Sequence, residues 1–227
     1  GTVIDKENKL VSQIGTYYKK QNLFVFIKNV VFTDQKHTIY TDTLEYNTET
    51  KIVKFRGPTR IIGPDGDMNA DAGEYNSILK TSKFKGRTKI NYGVYVLYAD
   101  KVDYNQFLQI GYAYGNVEIV SKKDSITIFG NEARYRGGGK GTTKVFPEAL
   151  MRTISNGDTM YLSSDTLYAI NDTVSSPKEQ KMFAYHKVRV FNKTMQAICD
   201  SLVYDMVDTC ITFFKDPVMW NGKNQMR

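Results

Sequence analysis

The chain has 227 residues, a formal net charge of +7 and 13% aromatic residues, with 16 Tyr and 12 Phe against a single Trp. That aromatic content favours half-buried strands and excludes disorder, and no apolar run approaches the roughly 18 residues of a membrane-spanning helix. The charge implies either an anionic partner (nucleic acid, acidic glycan or a phosphorylated head group) or a solvated basic surface.

At the N-terminus, Gly1-Thr2-Val3-Ile4-Asp5 lacks a basic segment followed by an apolar one, so no signal peptide is expected, as would also hold for a processed secreted chain. The phrase Tyr-Thr-Asp-Thr-Leu-Glu-Tyr-Asn at 40–47 returns as Asn-Ala-Asp-Ala-Gly-Glu-Tyr-Asn at 69–76 and Tyr-Ala-Asp-Lys-Val-Asp-Tyr-Asn at 98–105. The anchor acids Asp42, Asp71 and Asp100 are therefore 29 residues apart. Weaker copies follow at Asn131 with Tyr135, at Asp165 with Tyr168 one position early, and at Asp200 with Tyr204. A degenerate anchor falls near Gln13.

Fifteen residues after each of the first three anchors comes a glycine, Gly57, Gly86 and Gly115, opening a new strand. The same slot is read at Lys28-Asn29-Val30, His186-Lys187-Val188 and Asp216-Pro217-Val218. Apolar residues alternate about it, so each unit reads as strand, turn, strand. Two positions before the slot lie Phe26, Phe55, Phe84, Ala113, Ala184 and Phe214. Two and four after it come Val30 and Phe32, Thr59 and Ile61, Thr88 and Ile90, Val117 and Ile119, Val188 and Val190, Val218 and Trp220. Arg60, Lys89, Glu118 and Arg189 must face the other way.

Pro147 to Arg152 could nucleate a helical turn, but its alignment with the fourth slot predicts strand. Insertions fall at Gly137-Gly138-Gly139-Lys140-Gly141 and across 171–180, read as surface loops. No linker divides the chain, so residues 1–227 are expected to form one domain. A repeated unit with one apolar face must stack on its neighbours, which predicts an all-β, elongated solenoid-like or jellyroll body of about six to seven units with open edge strands at both ends. Gln225-Met226-Arg227 stop short of the next anchor, so further repeats are expected beyond them.

Several chemistries are disfavoured by spacing. His37 and His186 lie in distant repeats and are read as turn residues, not bases, and no catalytic site is expected. One Asp per 29 residues cannot supply six to eight calcium ligands, so each anchor acid is assigned a corner role, bonding nearby backbone N–H groups, with the anchor Tyr forming a ladder. The glycine run at 137–141 lacks phosphate-loop spacing and a following helix. Nucleic-acid binding on an open sheet does not account for the regular repeat, and the acids and aromatics show no cluster suited to polysaccharide. Cys199 and Cys210 fit no zinc spacing; they either pair or are buried thiols, the reading preferred here. No cofactor or metal is implied.

The recurring Ala-Asp-x-x-x-Tyr followed by Gly-Asn-Val-x-Ile resembles the OstA repeat of the lipopolysaccharide-transport family that includes LptA and the periplasmic N-terminal domain of LptD. The segments Gly157–Leu162, Asp165–Leu167, Ala184–Val190, Cys199–Tyr204 and Asp216–Trp220 look closest to the OstA-like proteins of Bacteroidota. The resemblance runs from about Ile14 to the end and departs at Asn131 and between Gly137 and Arg152. It implies a twisted β-jellyroll in the periplasm, associated with the cell envelope and outer membrane. It further implies head-to-tail pairing with other OstA or Lpt proteins through edge strands, and lipopolysaccharide or a related lipid held by its acyl chains inside the roll.

On that reading the interior lipid-contacting residues are Phe26, Val30, Phe32, Phe55, Ile61, Phe84, Ile90, Val117, Ile119, Val188, Val190, Phe214, Val218 and Trp220. Ten buried methylenes would supply roughly 8 kcal/mol. Arg56, Lys85, Arg87 and Lys187 beside the slots could meet head-group phosphates or serve only solubility. Without the resemblance the same residues read as a dry core, and the chain as a structural or interaction module assembling through its edges.

Overall fold

The computed structural model describes residues 1–5, 8–64, 66–155, 157–172, 174–175, 179–208 and 210–227. They fall into two compact units, Gly1–Leu108 and Gln109–Arg227. The first holds β1 (Thr2–Asp5), β2 (Asn8–Val11), β3 (Ile14–Tyr18), β4 (Leu23–Thr33), β5 (Thr38–Asn47), β6 (Ile52–Gly63), β7 (Gly66–Asn76), β8 (Thr81–Tyr92) and β9 (Tyr95–Asn105). The second holds β10 (Ile110–Ser121), β11 (Ile126–Arg136), β12 (Lys140–Phe146), β13 (Ala149–Ser155), β14 (Asp158–Ser164), β15 (Thr166–Asp172), β16 (Gln180–Phe191), β17 (Met195–Asp205), β18 (Cys210–Phe214), β19 (Val218–Asn221) and β20 (Asn224–Met226). Among the described residues, one 3-10 turn at Lys19–Gln21 interrupts an otherwise all-β, antiparallel structure, as the alternation predicts.

From β4 to β9 each strand pairs with the next, and each ladder breaks once at the predicted slot. Ile27 pairs with Thr43 and Val30 with Thr41, leaving Lys28 and Asn29 opposite Asp42. Gly57 and Pro58 sit likewise opposite Asp71, and Gly86 and Arg87 opposite Asp100. Two residues against one make a β-bulge that bends the strand. The first residue of each pair is left-handed, with φ of 66° at Lys28, 85° at Gly57 and 80° at Gly86.

Glycine is needed at 86 for a second reason: a Cβ there would lie 2.1 Å from Asp71 Oδ2. The anchor acid and the slot are thus neighbours across the ladder. The degenerate anchor obeys the same rule, since Gln13 donates its N–H to the Lys28 carbonyl at 3.1 Å.

The bend divides every long strand between two half-sheets. Leu10 beyond the corner packs with Phe26 and Leu44 before it, with Phe24, Phe32, Tyr46 and Val53 around them, so the half-sheets face one another across a shared core. On the outer surface, Glu45, Lys54, Glu74, Lys83 and Asp103 are successive cross-strand partners of alternating charge.

Far from the corner, the Asn that ends each of the first three repeat phrases caps a hairpin tip. Asn76 Oδ1 accepts the N–H groups of Ile78 and Leu79 at 3.0 and 2.9 Å, Asn47 Oδ1 those of Glu49 and Thr50, and Asn105 Oδ1 that of Leu108 at 2.8 Å.

The second unit repeats the scheme with split strands. β11 pairs with β13 through Ile126–Phe129 and with β12 through Glu132–Arg136, and the break between these partners is Pro147-Glu148, so that of the strand predicted over 147–152 residues 149–152 are strand. The outer ends of the predicted 171–180 loop are strand: Asn171 and Asp172 close β15 and Gln180 opens β16. Residues 173 and 176–178 lie outside the described residues.

Candidate functional site

In the first unit the inner face consists of rows running across the strands. Nearest the corner, Phe26, Leu44, Phe55, Gly73, Phe84 and Val102 are consecutive partners on one half-sheet. Val30 faces Thr41, Thr59 faces Ala70 and Thr88 faces Ala99 on the other. All of these but half-buried Gly73 are buried and form a floor, and Phe55 is only 2% exposed. Gly73 belongs to that floor because a Cβ there would lie 2.5 Å from the Phe55 ring. The buried hydroxyls are satisfied locally: Thr41 and Thr59 lie 2.8 Å apart, and Thr59 and Thr88 donate to the Gly57 and Gly86 carbonyls.

One step outward the environment changes. Phe32, Ile39, Ile61, Met68, Ile90 and Leu97 are consecutive partners, all apolar and all half-buried. Opposite them run Phe24, Tyr46, Val53, Tyr75, Ser82 and Tyr104, also half-buried. Tyr46 and Tyr75 are separated by Val53, so the expected tyrosine ladder is interleaved with residues of the intervening strands. The result is an apolar wedge with a dry floor and partly solvated walls.

Of the predicted interior residues, Phe26, Val30, Phe55, Phe84, Val117, Val188 and Val190 are buried, while Phe32, Ile61, Ile90 and Ile119 are half-buried on the same face. The last three are corrected. The left-handed pair of the final repeat is Lys215-Asp216, with φ of 59° and 53°, so the slot starts at Lys215 and not Asp216. Leu202, buried in the floor, therefore pairs with Phe213, and buried Ala197 with Met219. Phe214 (44% exposed), Val218 and Trp220 point to the opposite face.

Three of the anchor acids, Asp100, Asp165 and Asp200, sit in ion pairs at the polar corner. Arg87 lies 3.4 Å from Asp100, Lys187 3.5 Å from Asp165, and both His186 and Lys215 lie 3.2 Å from Asp200. The His186 ring and then the Lys215 ammonium hold the Asp200 carboxyl below the usual carboxylate range. Arg56 pairs with Glu45 at 3.3 Å. An incoming phosphate would compete with these carboxylates for Arg56, Arg87 and Lys187.

His37 caps a turn in which Asp34 Oδ1 accepts its N–H, far along the sequence from His186. Neither cysteine forms a disulfide: Cys199 is buried, and burial raises its thiol pKa, whereas Cys210 is exposed, contrary to the buried reading of both.

One signal was overlooked in the sequence. The residue before each anchor is small: Ser12, Thr41, Ala70, Ala99, Gly130, Ser164 and Cys199. Six of these are buried, and Gly130 leaves room for Val145, which a Cβ would approach to 2.4 Å. Where this residue carries a hydroxyl or thiol it donates to the carbonyl just past the anchor, as Ser12 does to Ile14 and Ser164 to Thr166. Small side chains are required where the half-sheets converge.

These features define a class of tandem β proteins in which bulged corners fold paired strands around an apolar interior. More particularly, residues 24–100 match the family model of the OstA-like proteins, which bears out the resemblance over that span. Among solved structures, the chain is similar to LptH, described as the LptA-homologous periplasmic component of the conserved lipopolysaccharide transport device from Pseudomonas aeruginosa. That similarity is 16% identical, covers 47% of this chain and 81% of the other, and has a TM-score of 0.43. No curated protein matches the sequence.

Proposed function

We propose that this protein is a non-catalytic periplasmic scaffold of the cell envelope that holds the acyl chains of lipopolysaccharide or a related lipid in the wedge of Gly1–Leu108 and passes them toward the outer membrane. The observation that carries the reading is the half-buried row Phe32, Ile39, Ile61, Met68, Ile90 and Leu97 above a fully packed floor. A soluble chain gains nothing by leaving six apolar side chains half-wetted in a row, unless another apolar surface completes their burial. The OstA-like match falls within this unit and supports the assignment.

The floor residues Phe26, Val30, Phe55 and Phe84 shape the wedge from beneath, and the walls contact lipid. Head-to-tail assembly through strand edges belongs to the same proposal. β3 is exposed at every position and leaves Ile14 and Tyr17 47% and 46% accessible. In the second unit the packing favours a structural role.

Photo-crosslinking residues placed at Ile61 and Ile90 should capture lipid in protein purified from envelopes, and those at outward Arg60 and Lys89 should not. Capture only from the outward positions, or none from any, would overturn the assignment.

A further inference from the structure

We propose that the hairpin tips of Gly1–Leu108 form a docking edge that seats apolar side chains in the interface of an anionic lipid bilayer. The tips of the half-sheet preceding the corner lie in one line, because each turn hydrogen-bonds to the one before. Thr48 N–H donates to the Asn22 carbonyl at 2.8 Å, Ser77 to Lys51 at 3.2 Å, and Gln106 to Lys80 at 2.9 Å.

Two adjacent tips carry large apolar pairs on their outermost positions. Ile78 and Leu79 are 66% and 62% exposed, and Phe107 and Leu108 are 83% and 56% exposed. These side chains cannot fold back onto the sheet without losing the turn, since Asn76 and Asn105 hold the backbone beneath them. The line of tips also carries Lys19, Lys20, Lys51 and Lys80 against Glu49 alone.

Protruding Leu, Ile and Phe flanked by lysines match a bilayer interface in which the apolar tips enter among the acyl chains and the ammonium groups meet anionic head groups. The tips are convex and about 10 Å apart at two-strand spacing, offering a protein partner projections rather than a groove. The polarity is reversed on the first two tips, where Lys19, Lys20 and Thr48-Glu49-Thr50-Lys51 carry no aliphatic pair. Entry is therefore by one end of the row.

The test is co-sedimentation with vesicles of phosphatidylethanolamine and phosphatidylglycerol, compared with phosphatidylcholine alone. The wild-type chain should bind the anionic vesicles more tightly, and the double variant L79D/F107D should lose at least about tenfold in binding. Both positions are exposed, so the unfolding midpoint of the variant should not move. An independent reporter is F107W in a W220F background, whose fluorescence should shift to the blue and be quenched by brominated acyl chains. Absence of wild-type binding, equal binding by the double variant, or a reporter that stays solvated would overturn the proposal. So would retention on an envelope protein without vesicle binding. Lipid capture at Ile90 reads the wedge separately, so either proposal can fail alone.

Discussion

The two units share their corners but not their covers. Beyond the bulge, the first unit presents Ile61, Met68 and Ile90 half-buried, whereas the middle of the corresponding cross-strand series of the second, Met151, Leu162, Val190 and Ala197, is buried, between half-buried Ile119 and Ile128 at one end and Met219 at the other. Two physical differences account for this. β13 and β14 pair over seven residues past their corner, against five for β6 and β7, and so extend the wall. The second unit also sets small floor residues (Ala113, Ala133, Ala184) beneath flexible Met151 and Met182, which fill irregular space. One repeat pattern therefore builds an open wedge or a packed core according to strand length and side-chain volume.

The contrast can be broken most directly by truncation. Leu162→Ala should cost about 3 kcal/mol through a cavity in a dry core, while Ile90→Ala should cost about 1 kcal/mol because its side chain is already half-wetted. Equal costs by denaturant unfolding would show that the two interiors are alike. Gly73→Val probes the floor, where a Cβ collides with Phe55; a loss of about 2 kcal/mol is expected, recovered in part by Phe55→Leu.

The smallest effect is electrostatic. Because the folded Asp200 carboxyl is held below its unfolded value, its contribution is present above the ordinary carboxylate range and is lost as pH falls through the depressed folded value. Asp200→Asn should flatten that acid limb slightly in thermal unfolding measured against pH, leaving stability at neutral pH a little lower.

Much of this was legible in the sequence because the bulge imposes chemistry that recurs. A slot demanding left-handed backbone, an acid across from it and alternating apolar residues on either side fixed the corners and the inward faces from Phe26 to Val190. The last repeat was misread because Pro217 imitated Pro58 and drew the alignment to Asp216, although the 15-residue spacing from Asp200 falls on Lys215. No glycine marked the true slot, since Lys215 and Asp216 adopt the left-handed region themselves.

The difference between floor and wall was not legible at all. Phe55 and Ile61 are both inward and apolar, and only the angle between half-sheets decides which stays wet. The period lengthens from 29 residues to 31 between Asp100 and Asn131 and to 34 and 35 thereafter, but the sequence did not show that pairing of β13 with β14 over seven residues, against five for β6 and β7 past their corner, absorbs part of it.

The self-contained corner has a consequence for scale. Each 29-residue copy brings its own anchor, slot and tip cap, and adds two strands, or about 10 Å, to the rows. Duplication or loss of a copy therefore changes the length of the apolar row, and with it the length of any lipid held there as proposed. The width of the wedge, set by the residues on either side of one corner, stays the same. Gauge and reach are inherited separately.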